Sequence, residues 1–274
     1  MVNKPTLYLV ATPIGNLNEI TPRALKVLSE VEVIACEDTR NTLKLLSHFA
    51  IHKRLIAYHN FNEEDSTKGI MEMLESGKDV ALVSDAGYPL ISDPGYLLCE
   101  KVIAQGFNIV TISGPNAGIN ALVASGLDTN HYLFYGFLNA KPAAAEKELL
   151  KLKDFPYTMI FYEAPHRINR TVKLALATLG DRKAVIAREL TKIHEEYLRG
   201  RLSELAEHDN LKGEIVLLIE GCPRDTKKVS FDDVLPEAIE LIDNGLKAKM
   251  AIKQVANKYQ LSANELYDYY LKTK

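Results

Sequence analysis

The sequence predicts an α/β protein of two halves followed by a helical tail, and three observations carry that prediction. Short apolar runs alternate with helix-period segments through residue 221, the pattern of βαβ units built around a mainly parallel sheet. Helix starts are marked by a capping side chain directly before a proline, as in Thr21-Pro22 and Asp93-Pro94. The pattern breaks at 125–132, SGLDTNHY, and again at 222–230, CPRDTKKVS. These breaks set an N-terminal α/β domain at 1–126, a second α/β domain at 127–224 and a helical tail at 230–274.

In the first half, strands are expected at 7–12, 31–37, 54–59, 79–84 and 107–113. Several are nearly continuous apolar runs, as in a sheet covered on both faces. The second half offers strands at 132–138, 157–163, 183–189, 195–202 and 214–221. Its connections shorten from residue 183 onward, which predicts a mixed sheet. In the tail, Ser230 caps a helix ending before Gly245, and Met250, Ile252, Val255 and Ala256 recur at helical spacing. Ser262 and Glu265 then stand at capping-box spacing ahead of an apolar stripe of Leu266, Tyr269 and Tyr270. Two short helices around YQLSAN resemble a helix-turn-helix unit.

Composition narrows the class. With 47% hydrophobic and 25% charged residues, the chain is ordinary for a soluble globular protein. No apolar run approaches the roughly 18 residues of a membrane span, and the N-terminal residues enter a strand without a secretory pattern. A cytoplasmic protein is expected. Cys36, Cys99 and Cys222 are isolated, which suggests neither a disulfide framework nor a zinc site. A net charge of −3 argues against gripping nucleic acid by the overall field, though not against local basic patches.

Ligands in an open α/β sheet bind at the carboxyl ends of strands. The loops to inspect are therefore 12–16, 36–40, 58–64, 84–89, 113–118, 161–167 and 188–192. Asp85 beside Gly87 can accept from a ligand or from its own turn. Asp93-Pro94 reads as a helix cap, and Asn116 as either a cap or a loop contact. Glu163 with His166, and Glu189 with Lys192, read equally as surface pairs, the latter on one helix face. Cys36 reads as core. No G-x-G-x-x-G follows the first strand, no P-loop occurs, HEEY at 194–197 lacks a second histidine, and no G-x-S-x-G is present. The residues alone reach an α/β enzyme with an interdomain cleft for an organic ligand.

Five segments taken together go further: ATPIGNLNEITPRAL, ACEDTRNT, ALVSDAGYPLISDPG, FYEAPHR and RELTK. In this order they resemble the tetrapyrrole-methylase superfamily, the class III S-adenosylmethionine methyltransferases. Within it, the likeness is to the branch that methylates a ribose 2′-hydroxyl of small-subunit ribosomal RNA, and it spans nearly the whole chain. The resemblance implies the two-domain tetrapyrrole-methylase fold, a homodimer, and S-adenosylmethionine in the cleft between the domains. It also implies methyl transfer to the 2′-oxygen of a decoding-centre cytidine in the 16S rRNA of the 30S subunit, chemistry that requires no metal. Two local departures stand in the expected cofactor loops: Tyr88 where the family usually has threonine, and residues 113–117, SGPNA, where it has a PGPSA-like loop.

Carried onto this sequence, the cofactor contacts fall at Pro13, Ile14, Ser84, Asp85, Ala86, Gly87, Tyr88, Asn116, Ala117, Phe161 and Tyr162. Residues 93–95 start the next helix. Catalysis of this kind is mostly positional, and a base for the hydroxyl proton is sought among Glu163, His166 and Lys192, with Glu37 and Asp38 as alternatives. RNA contacts are expected at Arg40, His59, Arg167, Arg170, Arg199 and Arg201. For the tail, an RNA-gripping module carrying Lys247, Lys249, Lys253 and Lys258 stands beside a helical brace for the second domain or the dimer partner. Two rival functions share these features: a precorrin-type tetrapyrrole methyltransferase, and a non-catalytic RNA-binding assembly factor. The EDTR and FYEAPHR motifs and the tail speak against the first.

Overall fold

The computed structural model describes residues 4–59, 63–223, 230–259 and 261–273. Residues 60–62 of the loop after the third strand, 224–229 of the polar linker and Gln260 of the YQLSAN turn lie outside the described residues. Two compact units result, Met1–Cys222 and Pro223–Lys274.

The first sheet consists of β1 (Thr6–Val10), β2 (Val33–Cys36), β3 (Arg54–Ala57), β4 (Val80–Val83) and β5 (Asn108–Ile112), in the order β3-β2-β4-β1-β5. All its pairings are parallel. Helices α1 (Pro22–Glu30), α2 (Thr39–His48), α3 (Glu63–Glu75), α4 (Tyr96–Ala104) and α5 (Ala117–Ser125) connect and follow these strands. Every residue of β2 and β4 is buried, in keeping with their unbroken apolar runs. The register pairs Val10 with both Val83 and Ile112, and Val83 with Cys36. Four strands thus end in line, and their loops leave from one edge.

The second sheet holds β6 (Tyr132–Phe137), β7 (Thr158–Glu163), β8 (Lys183–Arg188), β9 (Glu196–Arg201) and β10 (Ile215–Ile219), in the order β6-β7-β10-β8-β9. Only β6 and β7 run parallel, so the sheet is mixed. The two-residue period of the strands divides its apolar residues between two cores. Met159, Phe161, Ile186, Leu217 and Ile219 face α6 (Pro142–Lys151), α7 (Ile168–Leu179) and the short α8 (Leu202–Leu205). Ile160, Val185, Ala187, Val216 and Leu218 face Ala121 and Leu122 of α5.

Both sheets lie in one compact unit, and α5, which follows the last strand of the first sheet, closes over the second. One expected helix cap is corrected. Asp93 does not cap α4. The helix begins at Tyr96 with Gly95 as its N-cap at φ 136°, without a side-chain cap bond. A β-carbon on Gly95 would stand 3.0 Å from Leu82 and Leu90, so glycine at the cap displaces the aspartate from that task. Thr21 and Asn116 do cap their helices, accepting from the Ala24 and Ile119 amides.

The C-terminal unit is a three-helix cluster of α9 (Phe231–Asp243), α10 (Ala248–Lys258) and α11 (Ala263–Thr273). Ser230 and Asp233 form a capping box on α9, and the Glu265 amide donates to Ser262 Oγ at 3.4 Å. Val234, Ala238, Ile252, Val255, Ala256 and Leu266 make its core. Leu266 is the largest side chain of this small core contributed by α11, so Leu266→Ala is expected to cost the C-terminal unit about 2–5 kcal/mol. Hydrogen exchange should then show protection lost in α9–α11 and retained in β4 and β10.

Candidate active site

A cleft of about 370 Å³ opens between the two sheets. One wall comes from the first sheet: Ile14 after β1, residues 86–88 and Ile91 after β4, and Asn116 with Ala117 at the start of α5. The opposite wall comes from the second sheet: Phe137, residues 162–165, Leu190 and residues 213–216. Its volume lies in the usual range for small-molecule sites, roughly 300–1,000 Å³.

The first wall is built mainly from backbone. Thr12 N donates to Gly87 O at 2.8 Å and Gly87 N to Thr12 O at 3.0 Å, so the loops after β1 and β4 form a two-residue bridge. Gly87 sits at φ 78°, a conformation that a branched residue resists. The Ser84 hydroxyl donates to the carbonyls of Ala86 and Gly87, holding the turn from inside. The two departures from the family pattern meet each other: the Gly114 amide donates to the Tyr88 hydroxyl at 3.1 Å. At Gly114 a β-carbon would fall 2.8 Å from Ala11 Cβ, so only glycine lets these loops close up.

Of the expected cofactor contacts, Ile14, Ala86, Gly87, Tyr88, Asn116, Ala117 and Tyr162 line this cleft. Pro13, Ser84 and Asp85 face instead a neighbouring recess of about 200 Å³, with Asn41, Thr42 and Lys44. There Asn41 Nδ2 donates to Asp85 at 2.8 Å. Phe161 lies wholly in the opposite core, because adjacent residues of β7 point to opposite faces. Tyr162 takes the cleft side, edge-on to Phe134 and Phe137.

The proton-transfer candidates divide sharply. Glu163 has a side chain only 2% exposed, and its carboxylate accepts from Arg167 at 2.7 Å, Thr171 Oγ1 at 2.6 Å and the Ala164 amide at 2.7 Å. A carboxylate so fully bonded anchors the loop after β7. Lys192 Nζ donates to Glu189 at 2.9 Å and Glu214 at 3.2 Å. Burial alone would lower its pKa, but the two carboxylates outweigh it and the net shift is upward, which keeps it a cation. Glu189 and Lys192 do pair, but in a turn with Glu189 at φ 50° and Thr191 at φ 69°, not on a helix. Asp38 caps α2 and is held down to about 2 by its bonds to Arg40. Burial, then Asp85, push Glu37 upward, while His59 acts in the opposite sense. His166 is exposed.

Most of the basic candidates are engaged. Arg167 is half-buried and paired with Glu163. Arg199 donates to the carbonyls of Ala124 and Ser125 at the end of α5 and lies over the Tyr197 ring. Arg201 donates to Asp181 O at 2.8 Å. Arg40 is exposed and paired with Asp38, and Arg170 is exposed with one bond, to Ala140 O at 3.2 Å. Arg199 and Arg201 are nonetheless exposed, as are Arg40, Arg170 and His166, while His59 is half-buried.

Four of the cleft residues that sequence reasoning missed share one cause. Gly213, Glu214, Ile215 and Val216 precede or begin β10, which runs antiparallel to β7 and β8 and pairs Ile215 with Glu163 and Arg188. The amino end of β10 therefore lies at the carboxyl ends of its neighbours. A search confined to the residues that follow strands passes over it. Ile91, Ala164, Pro165 and Leu190 were within or beside the inspected loops, and Phe137 lay in an expected strand, but none carried a polar signal. Asp93, which lies beside Glu37, Tyr58 and Ser84 rather than in the cleft, was read as a cap. Burial first, then Glu37, raise its carboxyl to about 6, with Ser84 hydrogen-bonded to it and Asp85 nearby. Among the described residues, no group of three or more His, Cys, Asp or Glu is placed to hold a metal ion.

Residues 6–206 match the family model of the Tetrapyrrole (Corrin/Porphyrin) Methylases. The chain belongs to that family. Within it, the chain is 43% identical over 278 residues to the ribosomal RNA small subunit methyltransferase I of Halalkalibacterium halodurans, covering 98% of this chain and 95% of that protein, and it belongs to that branch. Two solved structures share the tetrapyrrole-methylase fold. Uroporphyrin-III-C-methyltransferase from Thermus thermophilus has a TM-score of 0.57 at 18% identity, over 78% of this chain and 94% of its own. A diphthine synthase reaches 0.60 at 16% identity, over 79% and 89%.

Two substitutions on adjacent residues of β7 separate core from cleft. Phe161→Ala should cost about 3–5 kcal/mol of stability in a denaturant titration. Tyr162→Ala, at a half-buried ring on the cleft side, should cost less, about 1–2 kcal/mol, and instead weaken calorimetric binding of a small molecule held in the cleft about tenfold or more.

Asp93 gives a pH prediction. Because its folded-state pKa is raised from 3.8 to about 6, the folded chain holds the proton more tightly than the unfolded one. Stability therefore falls as pH rises through this window. Asp93→Asn should be more stable than the wild type at about pH 8, by roughly 1 kcal/mol once partial exposure is allowed for, with no gain near pH 4. Melts at the two pH values check this.

Proposed function

We propose that this protein transfers a methyl group from S-adenosylmethionine to the ribose 2′-oxygen of a decoding-centre cytidine in 16S rRNA. The observation that carries the proposal is the cleft itself. Its walls contain the ATPIGN, SDAGYP, FYEAPHR and RELTK segments, in a chain whose relative is named for ribosomal RNA small-subunit methylation. The cleft's chemistry fits the cofactor. Ile14, Ile91, Leu190 and Val216 offer apolar surface to a flat base, and the polar side chains of Tyr88 and Asn116 stand beside it.

When bound, S-adenosylmethionine supplies a methyl group already activated as an electrophile. The protein's own contribution is then position and exclusion of water. Tyr162, Tyr88 and Phe137 wall the cleft with rigid rings, and the Thr12–Gly87 bridge fixes the backbone against which the ligand rests. The acceptor hydroxyl must lose its proton during transfer. Glu163 is fully bonded and Lys192 is held charged, which leaves exposed His166, with Glu37 as the alternative, to take it.

The RNA is gripped through Arg170 and Arg40, and through lysines of α10, in a cytoplasmic homodimer. Tyr96, Ile103 and Val123 leave large apolar surface exposed on α4 and α5, the kind of surface a second copy covers.

Methyl transfer from labelled S-adenosylmethionine to 30S subunits, naked 16S rRNA and a tetrapyrrole tests this reading. Label is expected in the 30S subunits at a ribose 2′-oxygen. Label in the tetrapyrrole alone would assign the precorrin-type reaction, and cofactor binding without transfer would leave an assembly factor. Arg40→Glu with Arg170→Glu should lower transfer to RNA at least about tenfold without altering cofactor affinity, and wild-type activity should fall with added salt. A chain ending at Asp225 is expected to bind the cofactor normally and methylate 30S subunits poorly. Normal methylation by that chain would remove the tail from substrate capture.

A further inference from the structure

The turn at residues 189–195 has features that neither the sheet nor the reaction requires. Glu189 and Thr191 both adopt left-handed backbone, which costs a non-glycine residue about 1 kcal/mol or more and persists only where the surroundings impose it. The surroundings are specific. The Lys192 amide donates to Glu189 O at 3.0 Å, the Glu195 amide to Lys192 O at 3.1 Å, and the Thr191 amide to the Glu195 carboxylate at 2.5 Å. The turn is closed on itself and lays Lys192 against the loop after β1.

Lys192 meets the first-sheet wall at Gly15. A β-carbon there would stand 2.7 Å from Lys192 Cγ, 2.9 Å from its Cε and 2.9 Å from Thr191 Oγ1, closer than real side chains approach. The lysine stem therefore lies flat against bare backbone. Gly15 follows Ile14, a cleft residue, in the loop tied to Gly87 by the backbone bridge. On the other wall, Glu189 accepts from the Glu214 amide at 3.0 Å as well as from Lys192. It can do so because Gly213 has no side chain: a β-carbon there would fall 2.3 Å from the Glu189 carboxylate. Glu214, the second carboxylate on Lys192, lines the cleft. Two glycines thus make room for one lysine, whose stem lies along the loop after β1 and whose ammonium is held by two carboxylates of the other wall.

We propose that Lys192 is a positioning residue of the cleft: packed along Gly15 and held between Glu189 and Glu214, it fixes how far apart the two walls stand and hence how tightly a nucleoside ligand is gripped. This rests on the reading of the cleft as the S-adenosylmethionine site. Half-exposed ion pairs add little to folding, so the effect of losing the ammonium falls on the cleft rather than on stability. Without it, Glu189 and Glu214 face each other uncompensated, and the wall carrying residues 213–216 moves outward.

The test compares Lys192→Met, Lys192→Arg and Gly15→Ala in the full chain, with S-adenosylmethionine and S-adenosylhomocysteine as calorimetric probes. Lys192→Met keeps the stem and removes the charge; Gly15→Ala keeps the lysine and displaces it. Both should weaken both probes about tenfold and raise KM in parallel, with kcat at saturation changed less than about threefold. The pH–rate profile should keep its shape and the melting temperature should move by no more than about 3 °C. Lys192→Arg should recover part of the affinity. A loss of about a hundredfold in kcat with affinity unchanged would overturn the proposal and give Lys192 a part in proton transfer. Unchanged affinity in both Lys192→Met and Gly15→Ala would overturn it while leaving the cofactor reading intact. A wild-type chain that binds neither probe would overturn the cofactor reading first and this proposal with it.

Discussion

Two backbone hydrogen bonds between Thr12 and Gly87 are the constraint on which the rest of the site depends. They join loops that leave adjacent parallel strands at the same level, a level set by the register of β1 and β4. Parallel pairing alone delivers two loop ends to one edge but does not fix their course. The bridge does, and it needs a residue at positive φ on one side. Once the loops are tied, Ile14 and residues 86–88 have one available place, and the wall they form is as rigid as the sheet beneath it.

The fold was legible in the sequence because its signals are local. The apolar runs at β2 and β4, the Thr21 and Asn116 caps, the shortened connections after residue 183 and the Ser230 capping box each announce themselves within a few residues. Much of the cleft was legible too, since the loops after β1, β4 and β7 follow strands that can be recognised. What escaped required knowledge of pairing. The direction of β10 decides that residues 213–216 belong to the cleft, and no local pattern reveals the direction of a strand. Asp93 escaped because Asp-Pro is a strong capping signal, overridden here by the space that Leu82 and Leu90 leave only for a glycine at position 95. Phe161 and Tyr162 were named together from one motif, whereas the alternation of a strand sends only one of them to the cleft.

Charge in this protein is organised by partnership more than by surface display. Arg167, Arg199 and Arg201 look like an RNA-facing series in the sequence, yet their guanidinium groups serve a buried carboxylate, the end of α5 and the carbonyl of Asp181. Arginine suits such work because its planar fork serves several acceptors at once. A basic residue count therefore overstates the surface available to phosphates. Arg199 and Arg201 stay exposed while they do this work, so what their bonds limit is their freedom to turn toward a phosphate, on a chain whose net charge is negative.

The position of α5 bears on how the chain is made. Emerging directly after the last strand of the first sheet, this helix finds its apolar partners in β7, β8 and β10. Among these β10 is synthesised last and occupies the middle of its sheet. Until about residue 219 has left the ribosome, the second sheet lacks its central strand and α5 lacks a complete surface to cover. The first sheet can form early during synthesis, while the helix attached to its end waits. The cleft, which needs both, comes into being only in the final step of assembling this unit, so a partly made chain presents no ligand site.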